Sequence, residues 1–322
     1  MKFQPMPSRP PPLFELRVLK GLALLASADA GFMPVPRLRV RLRYYIESML
    51  LAENDPPSIA SIKTLLSRYR QFIAQIASGK PIVHKRLGSL ALMFDAFSVQ
   101  SEMRIDSPDE LMLGYTQSMM GVLLLRPAPR SIAMIGLGGG SLVKFCYRYL
   151  PGALIDVAEI DAEVIAVRDQ FGIPADDLRL AVHCIDGAEF VRSSENRYDV
   201  LMVDGFDRRG QPAQLCSRSF YDSCYRSLAP DGVLVVNLLG ESMLETLQCL
   251  ERMRASFDGA VLAVDALDSS NRIIFACKNG LPELDAAELR QRINELEMLS
   301  PMALHAIACA LRADGEMAGI PI

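Results

Sequence analysis

Residues 131–161 read SIAMIGLGGGSLVKFCYRYLPGALIDVAEID, and the order of segments in this stretch decides the fold class. The apolar run from Ile132 to Ile135 predicts a buried strand, and a glycine-rich turn follows it. A helical pattern then runs from Ser141 to about Tyr149, and a second strand ends in Glu159. This order is typical of a nucleoside-binding α/β fold: a strand, a glycine loop, a helix and a second strand that ends in an acid.

The glycines of this loop indicate how closely a ligand can approach the backbone. Gly136, Gly138 and Gly140 alternate, with Gly139 between the last two, and residues without a Cβ let the chain turn sharply beside a ligand. The helix that follows points its bare N–H groups at the same place. Glu159 falls at the tip of the second strand, where a carboxylate can accept both hydroxyls of a ribose.

The same loop discriminates between cofactors. A dinucleotide fingerprint has Gly or Ala at the position of Ser141, so NAD is the poorer candidate. The alternating G-x-G-x-G form resembles the S-adenosylmethionine loop of class I methyltransferase-like folds. We therefore expect S-adenosylmethionine or its decarboxylated form, with residues 136–140 beside the methionine-derived part.

Length and composition favour a soluble cytoplasmic protein. The chain has 322 residues, of which 50% are hydrophobic and 22% charged, enough for one large domain with appendages or for two domains. Its net charge of −4 gives no basic excess for nucleic acid or an anionic membrane. No apolar run approaches the roughly 20 residues of a membrane helix, and the proline-rich first 12 residues lack the apolar core of a signal peptide.

The metal-binding residue types are few and scattered. Seven cysteines are spread along the chain without a C-x-x-C pair, and the three histidines are far apart in sequence. We expect reduced thiols buried in the core, and neither disulfides nor a metal site.

Composition and breaks divide the chain into five segments. The apolar spacing between residues 13 and 80 is helical, and regular alternation of strands and helices begins after the glycine loop. The predicted segments are a disordered tail (1–12), a helical N-terminal domain (13–80), a β-hairpin subdomain (81–107), an S-adenosylmethionine-methyltransferase-like domain (108–280) and C-terminal helices (281–322).

Strand and helix alternation predicts a mostly parallel sheet covered on both faces. The last two predicted strands, 259–265 and 271–277, are joined by too few residues for a helix and should form an antiparallel hairpin, as is typical of the methyltransferase fold. Ser107, Pro108 and Glu110 have the pattern of a capping box, which predicts a helix from there to about Met120. The expected fold class is therefore a class I methyltransferase-like Rossmann sheet preceded by a hairpin and a helical domain.

Acidic residues follow three consecutive predicted strands, where ligands of such sheets bind. Asp161 is best explained as a helix N-cap. Glu159 should bind the ribose, Asp186 should reach the adenine edge, and Ile160 should cover the adenine face. Asp204, in the middle of the sheet, is the candidate that would orient a nucleophilic amine beside the sulfonium and take its proton.

The stretch from about Leu90 to Gly240, roughly half the chain, resembles the spermidine synthase family of aminopropyltransferases, and most of all its bacterial spermidine synthase-like members. The pieces that carry the resemblance are LALMFDAFSVQSEM (90–103), SPDELMLGY (107–115), IGLGGG (135–140), AEIDAEVI (158–165), IDGAEF (185–190), YDVLMVDGFD (198–207) and LAPDGVLVVNL (228–238).

This resemblance implies a transferase of polyamine biosynthesis that moves an aminopropyl group from decarboxylated S-adenosylmethionine to a polyamine amine. It also implies a homodimer. By matching position, Asp204 is similar to the proton-accepting aspartate and Asp207 to a partner acid that helps hold the amine. The remaining matches are a substrate-pocket tyrosine, a hairpin glutamine and the nucleoside contacts, at Tyr115, Gln100, Glu159, Asp186 and Gly187.

The chain departs from the family pattern in the half of the site that would hold the aminopropyl group and the amine. Gly139 stands where the family carries an acid, and Thr116 where it carries His or Gln. Arg208 and Arg209 follow Asp207, where positive charge would repel a polyamine. Two alternatives therefore stay open: an S-adenosylmethionine-dependent methyltransferase, and a non-catalytic nucleoside-binding scaffold whose N-terminal domain recruits a partner.

Overall fold

A computed structural model describes residue 78, residues 80–94, 99–207, 210–239, 243–266 and 269–299, residue 304 and residues 307–309. All of them belong to the compact unit Gln75–Ile322. The predicted tail and almost all of the predicted helical domain lie outside the described residues, and so do most of residues 300–322 in the predicted C-terminal helices.

The main sheet has seven strands, and its first five members are parallel. The strands are β4 (Ser131–Ile135), β5 (Leu154–Glu159), β6 (Leu180–Cys184), β7 (Tyr198–Val203), β8 (Leu228–Leu239), β9 (Val261–Asp265) and β10 (Asn271–Cys277). Their order across the sheet is β6-β5-β4-β7-β8-β10-β9, with β10 antiparallel to both β8 and β9. The predicted α/β class and the reversed final hairpin are therefore confirmed.

Side chains of the central strands alternate between two hydrophobic cores, one on each face of the sheet. Along β4, Ile132 and Met134 belong to one core, while Ala133 and Ile135 belong to the other. All six residues of β7 are buried. Apolar runs without a polar face are what a parallel sheet needs when helices cover both of its sides.

A second, smaller sheet precedes the main one. Its strands are antiparallel in the order β1-β2-β3, and they span Ile82–Arg86, Ser89–Met93 and Val99–Arg104. Gly88, with φ of +79°, closes the turn between the first two strands. This sheet lies within the predicted hairpin segment.

The helix predicted from Ser141 to about Tyr149 is observed with these bounds. The short helix after β5 is followed by a 3₁₀ turn at Arg168–Phe171. The helices are α1 (Gly114–Met119), α2 (Val122–Leu125), α3 (Ser141–Tyr149), α4 (Ala162–Ala166), α5 (Gly187–Arg192), α6 (Arg218–Ser227), α7 (Met243–Ser256) and α8 (Ala286–Leu299). None of the helices in the described part is long and apolar enough to cross a membrane.

The predicted helix start at Ser107 is wrong, because α1 begins only at Gly114. Glu110 would have to reach back to the cap, but its carboxylate pairs with Arg104 at 3.3 Å instead. The backbone N–H of Glu110 donates to the carbonyl of Ser107 at 3.1 Å, which makes a single turn. The capping-box pattern is therefore used here to fasten a loop to β3.

Candidate active site

The carboxyl ends of the central strands border a cavity of about 880 Å³. The glycine loop after β4 and the ends of β5, β6 and β7 form one side of it, as expected for an open α/β sheet. Residues of β3 and α1 line the opposite side, including Gln100 and Tyr115. The cavity brings together residues from distant parts of the chain.

The glycine loop is shaped by its contacts with neighbouring backbone. Gly136 has φ of +96°, and a Cβ there would lie 2.3 Å from the carbonyl oxygen of Asp204. Gly138 has φ of +51°, and its nearest neighbour beyond the loop would be the Ser101 Cβ at 3.8 Å. The loop can therefore pass under Asp204 on one side and leave its other side open to a ligand.

Glu159 ends β5 and faces the glycine loop. Its Oε2 accepts a hydrogen bond from the Leu137 N–H and its Oε1 from the Asp161 N–H, both at 2.8 Å. The residue is 8% exposed, and burial raises the pKa of its carboxyl, although hydrogen bonds from the N–H groups of Asp161, Leu137 and Gly138 oppose that rise. A carboxylate has about four lone-pair sites, so it can still accept from a ribose hydroxyl.

Two acids close to Glu159 act as helix N-caps. Asp161 accepts from the Glu163 N–H at 2.9 Å, as its sequence position predicts. Asp186 lines the cavity, but its Oδ1 also accepts from the Ala188 N–H at 2.7 Å and so caps α5. Its Oδ2 accepts from the amide of Gln214 at 2.8 Å. Sequence reasoning missed Gln214, because it lies in a short 3₁₀ turn that carries no motif.

Ile160 and Gly187, which the sequence assigns to the adenine site, both line the cavity. Ile160 lines the cavity with 65% of its surface exposed, as a residue must be if it is to cover a flat ring. Gly187 lies against Ile135, whose Cγ2 would be 2.3 Å from a Cβ at this position. A larger residue there would push the start of α5 away from the end of β4.

Asp204 follows β7 and lines the cavity. Its Oδ2 is 3.2 Å from the Tyr115 hydroxyl, which is also 3.3 Å from the carbonyl oxygen of Gln100. Burial raises the pKa of the Asp204 carboxyl, while hydrogen bonds from Asn237 and Tyr115 oppose the rise. Burial and the charge of Asp204 keep the pKa of Tyr115 well above its usual value, so the residue stays a phenol.

Two asparagines complete the surroundings of Asp204, and sequence reasoning missed both. Asn237 of β8 donates from Nδ2 to Asp204 Oδ1 at 2.8 Å. Asn271 of β10 donates from Nδ2 to Asn237 Oδ1, also at 2.8 Å. A signal for the first was present in the sequence, since Asn237 interrupts the apolar run VLVVNLL and is only 1% exposed.

The cavity has a strongly acidic lining. Among the described residues that border it, five are carboxylic acids and none is Lys, Arg or His. The acids are Glu159, Asp161, Asp186, Asp204 and Asp207. Arg208 and Arg209, which the sequence places beside the amine site, lie outside the described residues. Such a lining favours ligands that carry positive charge.

The structure also describes the neighbours of Gly139 and Thr116, which depart from the family pattern, and of Asp207. A Cβ on Gly139 would lie 2.7 Å from Ser101 Oγ, so this strand residue occupies the space beside the loop. Thr116 is 2% exposed, and its hydroxyl donates to the Leu113 carbonyl at 2.6 Å. Asp207 is exposed and its backbone pairs with Gly210, whose carbonyl accepts from the Asp207 N–H at 2.9 Å.

The fold and the strand-end acids define a class I methyltransferase-like protein, and comparison with known proteins identifies the family. Residues 112–267 match the family model described as the spermine/spermidine synthase domain. The polyamine aminopropyltransferase of Neisseria meningitidis serogroup B is 32% identical over 225 residues, which are 69% of this chain and 85% of the relative. That of Chromobacterium violaceum is 36% identical over 203 residues, 62% of this chain and 77% of the relative.

The chain therefore belongs to the spermine/spermidine synthase family, and the resemblance read from its sequence is confirmed. Solved structures agree on the fold. A probable spermidine synthase from Corynebacterium glutamicum has a TM-score of 0.58 at 18% identity, covering 67% of this chain and 83% of its own. Human methyltransferase-like protein 13 has a TM-score of 0.53 at 24% identity, covering 65% of this chain and 95% of its own.

Proposed function

We propose that this chain is an aminopropyltransferase that moves an aminopropyl group from decarboxylated S-adenosylmethionine to an amine of a polyamine. Curated relatives with this activity in their names match it over most of their length, which supports the proposal. The observation that carries it is the position of Asp204, a carboxylic acid in the lining of an acidic cavity, beside the glycine loop.

The protein has two main tasks in this reaction: it aligns the amine with the carbon next to the sulfonium, and it removes one proton from the amine. The amine nitrogen attacks the carbon next to the sulfonium, the carbon–sulfur bond breaks, and its electrons remain on sulfur as neutral methylthioadenosine. The proton lost by nitrogen passes to Asp204 Oδ2. A carboxylate whose pKa is raised by burial is a stronger base than an exposed one, which suits this role.

The other residues have binding roles in this proposal. Glu159 holds the ribose, Asp186 and Gly187 meet the adenine edge, and Ile160 covers the adenine face. Gly136, Gly138, Gly139 and Gly140 surround the tail of the donor. Tyr115, Gln100 and Asp207 hold the acceptor amine together with Asp204. In this arrangement both ligands bring positive charge to the same acidic lining.

The charge of the cavity also bears on the choice of donor. Intact S-adenosylmethionine carries a carboxylate, and the described lining offers it no Lys, Arg or His. Decarboxylated donor has only cationic groups on its tail, so the lining attracts all of them. This argument favours aminopropyl transfer over methyl transfer.

A methyltransferase is the second candidate function, because Gly139 stands where the family carries an acid. Gly139 puts no acid beside the donor tail, and a carboxylate-bearing donor would avoid repulsion there. By resemblance to the family we further propose a small-molecule amine as the acceptor, a homodimer and a cytoplasmic location.

The proposal is tested by assaying purified protein with decarboxylated S-adenosylmethionine and putrescine, cadaverine or spermidine. We expect methylthioadenosine to form with at least one acceptor and to disappear in the Asp204→Asn variant. No product with any of the three amines would contradict aminopropyl transfer.

Calorimetry with the two donors separates the alternatives. Tighter binding of the decarboxylated donor supports the proposal, and clear preference for intact S-adenosylmethionine supports a methyltransferase. If neither donor is turned over and Asp204→Asn leaves the cellular phenotype unchanged, the non-catalytic scaffold is the better description.

A further inference from the structure

Asp204 accepts hydrogen bonds at both carboxylate oxygens, and the two donors differ: one is the amide of Asn237 and the other is the hydroxyl of Tyr115. Oδ1 is taken by the amide of Asn237, a buried residue in the middle of the sheet. Among the described residues, Oδ2 accepts from the Tyr115 hydroxyl alone, at 3.2 Å, and that hydroxyl has a second acceptor in the Gln100 carbonyl. The two carboxylate oxygens are therefore not equivalent.

The orientation of the Asn237 amide depends on Asn271. An asparagine side chain can turn either its oxygen or its NH₂ group toward a neighbour, and the two orientations fit the same space. Asn271 Nδ2 donates to Asn237 Oδ1 at 2.8 Å, which fixes the oxygen on the β10 side. The NH₂ group of Asn237 must then face Asp204. The two hydrogen bonds therefore run in the same direction: Asn271 donates to Asn237, and Asn237 donates to Asp204.

We propose that Asn271 and Asn237 are positioning residues, which turn a donor onto Asp204 Oδ1 and so leave Oδ2 to take the proton of the acceptor amine. The inference rests on the proposed function, because it assigns a direction to the same carboxylate. Neither asparagine contacts the reacting atoms in this arrangement. Asn271 acts through Asn237, and Asn237 acts through Asp204.

The ionisable groups near Asp204 in the described lining bring no positive charge to it, so its ionised form is stabilised by neutral donors such as the amide of Asn237. Tyr115 approaches from α1 and stays neutral, because its pKa lies well above the usual value. Asp207 follows on the same loop, and Glu159 and Asp186 line the cavity from β5 and β6. On the side of β8 and β10 the described lining residues are Asn237, Leu239, Ser269 and Asn271, none of which titrates. No cationic group in the described lining stabilises the ionised carboxylate, so neutral donors must do it.

The order of action can be tested with Asn237→Leu, Asn271→Leu and the double variant. Titration of Asp204 is followed by carboxyl ¹³C NMR on ligand-free protein, with Asp204→Asn to assign the signal. Loss of the Asn237 donor should raise the pKa of Asp204 by about one unit, and loss of Asn271 by about half a unit. The double variant should match Asn237→Leu alone, since Asn271 has nothing left to orient.

The acid limb of the kcat–pH profile should move upward by the same amounts in the same variants. Asn279→Ala is the matched control: this exposed amide donates to Asp231 at 3.2 Å, away from the cavity, and its loss should shift neither measurement. Asn271→Ser serves as a second variant if Asn271→Leu fails to fold, which melting temperatures will show.

Two results would overturn the inference: an Asp204 titration that Asn271→Leu leaves unchanged, or shifts that add in the double variant. Either can occur while methylthioadenosine is still produced, in which case the proposed function stands and the positioning role fails. Conversely, the NMR titration gives its answer even if no amine is turned over.

Discussion

The Leu137 N–H donates to Glu159 Oε2 at 2.8 Å, which joins the glycine loop after β4 to the end of β5. The bond holds the carboxylate next to the loop, where a ligand would bind. The same bond restrains the conformation of the loop. A single acid thus connects the shape of the loop with the proposed ribose site. Its replacement should affect both.

Glu159→Gln should weaken nucleoside binding and destabilise the fold. Both carboxylate oxygens accept from N–H groups, and an amide would place its NH₂ against one of these donors. An unsatisfied buried donor costs about 1–3 kcal/mol in the free energy of unfolding. Loss of a charged acceptor for the ribose should raise the Kd for methylthioadenosine by roughly 10-fold or more. Calorimetry and urea unfolding measure the two effects, and unchanged affinity would contradict the ribose assignment.

Asp204→Asn should remove catalysis while it keeps donor binding. General-base catalysis contributes about 10²- to 10⁴-fold, so kcat should fall by that factor, with the Kd of the donor changed by about twofold or less. The matched control is Asp231→Asn, an exposed aspartate with φ of +60°, a conformation that asparagine tolerates well. Activity within about tenfold of the unchanged protein would exclude Asp204 as the proton acceptor.

The sequence predicts the parts of the site that follow a local rule. The glycine loop, Glu159, Asp186 and Asp204 all come directly after apolar strands, and the structure brings them to one edge of the sheet. Their roles stay predictions until they are tested by mutation. Local order suffices here because parallel strands all present their carboxyl ends at the same edge.

The missed features depend on contacts between distant residues. Asn237 and Asn271 are 34 positions apart, and their hydrogen bond exists only because β10 pairs with β8. Gln214 reaches Asp186 from a loop 28 positions later. The failed helix start has a similar cause, since Arg104 of β3 takes the carboxylate of Glu110. In each case a tertiary contact decides the role of a residue whose local pattern is neutral or misleading.

Asp199→Asn should make the protein less stable at neutral pH but reduce its loss of stability in acid. The carboxylate accepts from the guanidinium of Arg126 at 2.6 Å and from the backbone N–H groups of Arg130 at 2.7 Å and Ser131 at 3.1 Å. Burial alone would raise the pKa of Asp199, but the bonds from these donors outweigh it and hold the pKa below its usual value.

The sign of the pH effect follows from this depressed pKa. The stabilising contribution of Asp199 is present above the unfolded-state pKa of about 3.9, and it is lost as the pH falls further through the folded-state value. We expect a cost of about 3 kcal/mol for Asp199→Asn at pH 7, and a smaller difference from the unchanged protein at pH 3. Urea unfolding at both pH values measures it, with the exposed ion pair of Asp265 as control through Asp265→Asn. An equal difference at both pH values would show that Asp199 has the same pKa in the folded and the unfolded protein, and so contradict the depressed pKa.

The space beside Gly139 provides a test of donor choice. Gly139→Asp alone should disturb the loop, because the new Cβ would lie 2.7 Å from Ser101 Oγ and 2.9 Å from Ser101 Cβ. Ser101→Gly removes both of these atoms, and the third nearest contact is the Phe171 ring at 3.0 Å. The double variant should therefore fold and carry an acid beside the donor tail. That acid should attract the amine of decarboxylated S-adenosylmethionine and repel the carboxylate of the intact form.

We expect the ratio of the two donor affinities to change by roughly 10-fold in favour of the decarboxylated form. This is the effect expected when one charge contact changes in a partly buried site. Competition between the donors, followed by calorimetry, measures this ratio. Ser101→Gly alone is the matched control, since it opens the same space without adding charge and should leave the ratio nearly unchanged. If the double variant binds both donors as Ser101→Gly does, the tail of the donor does not lie against residue 139. The glycine loop would then hold another part of the nucleoside.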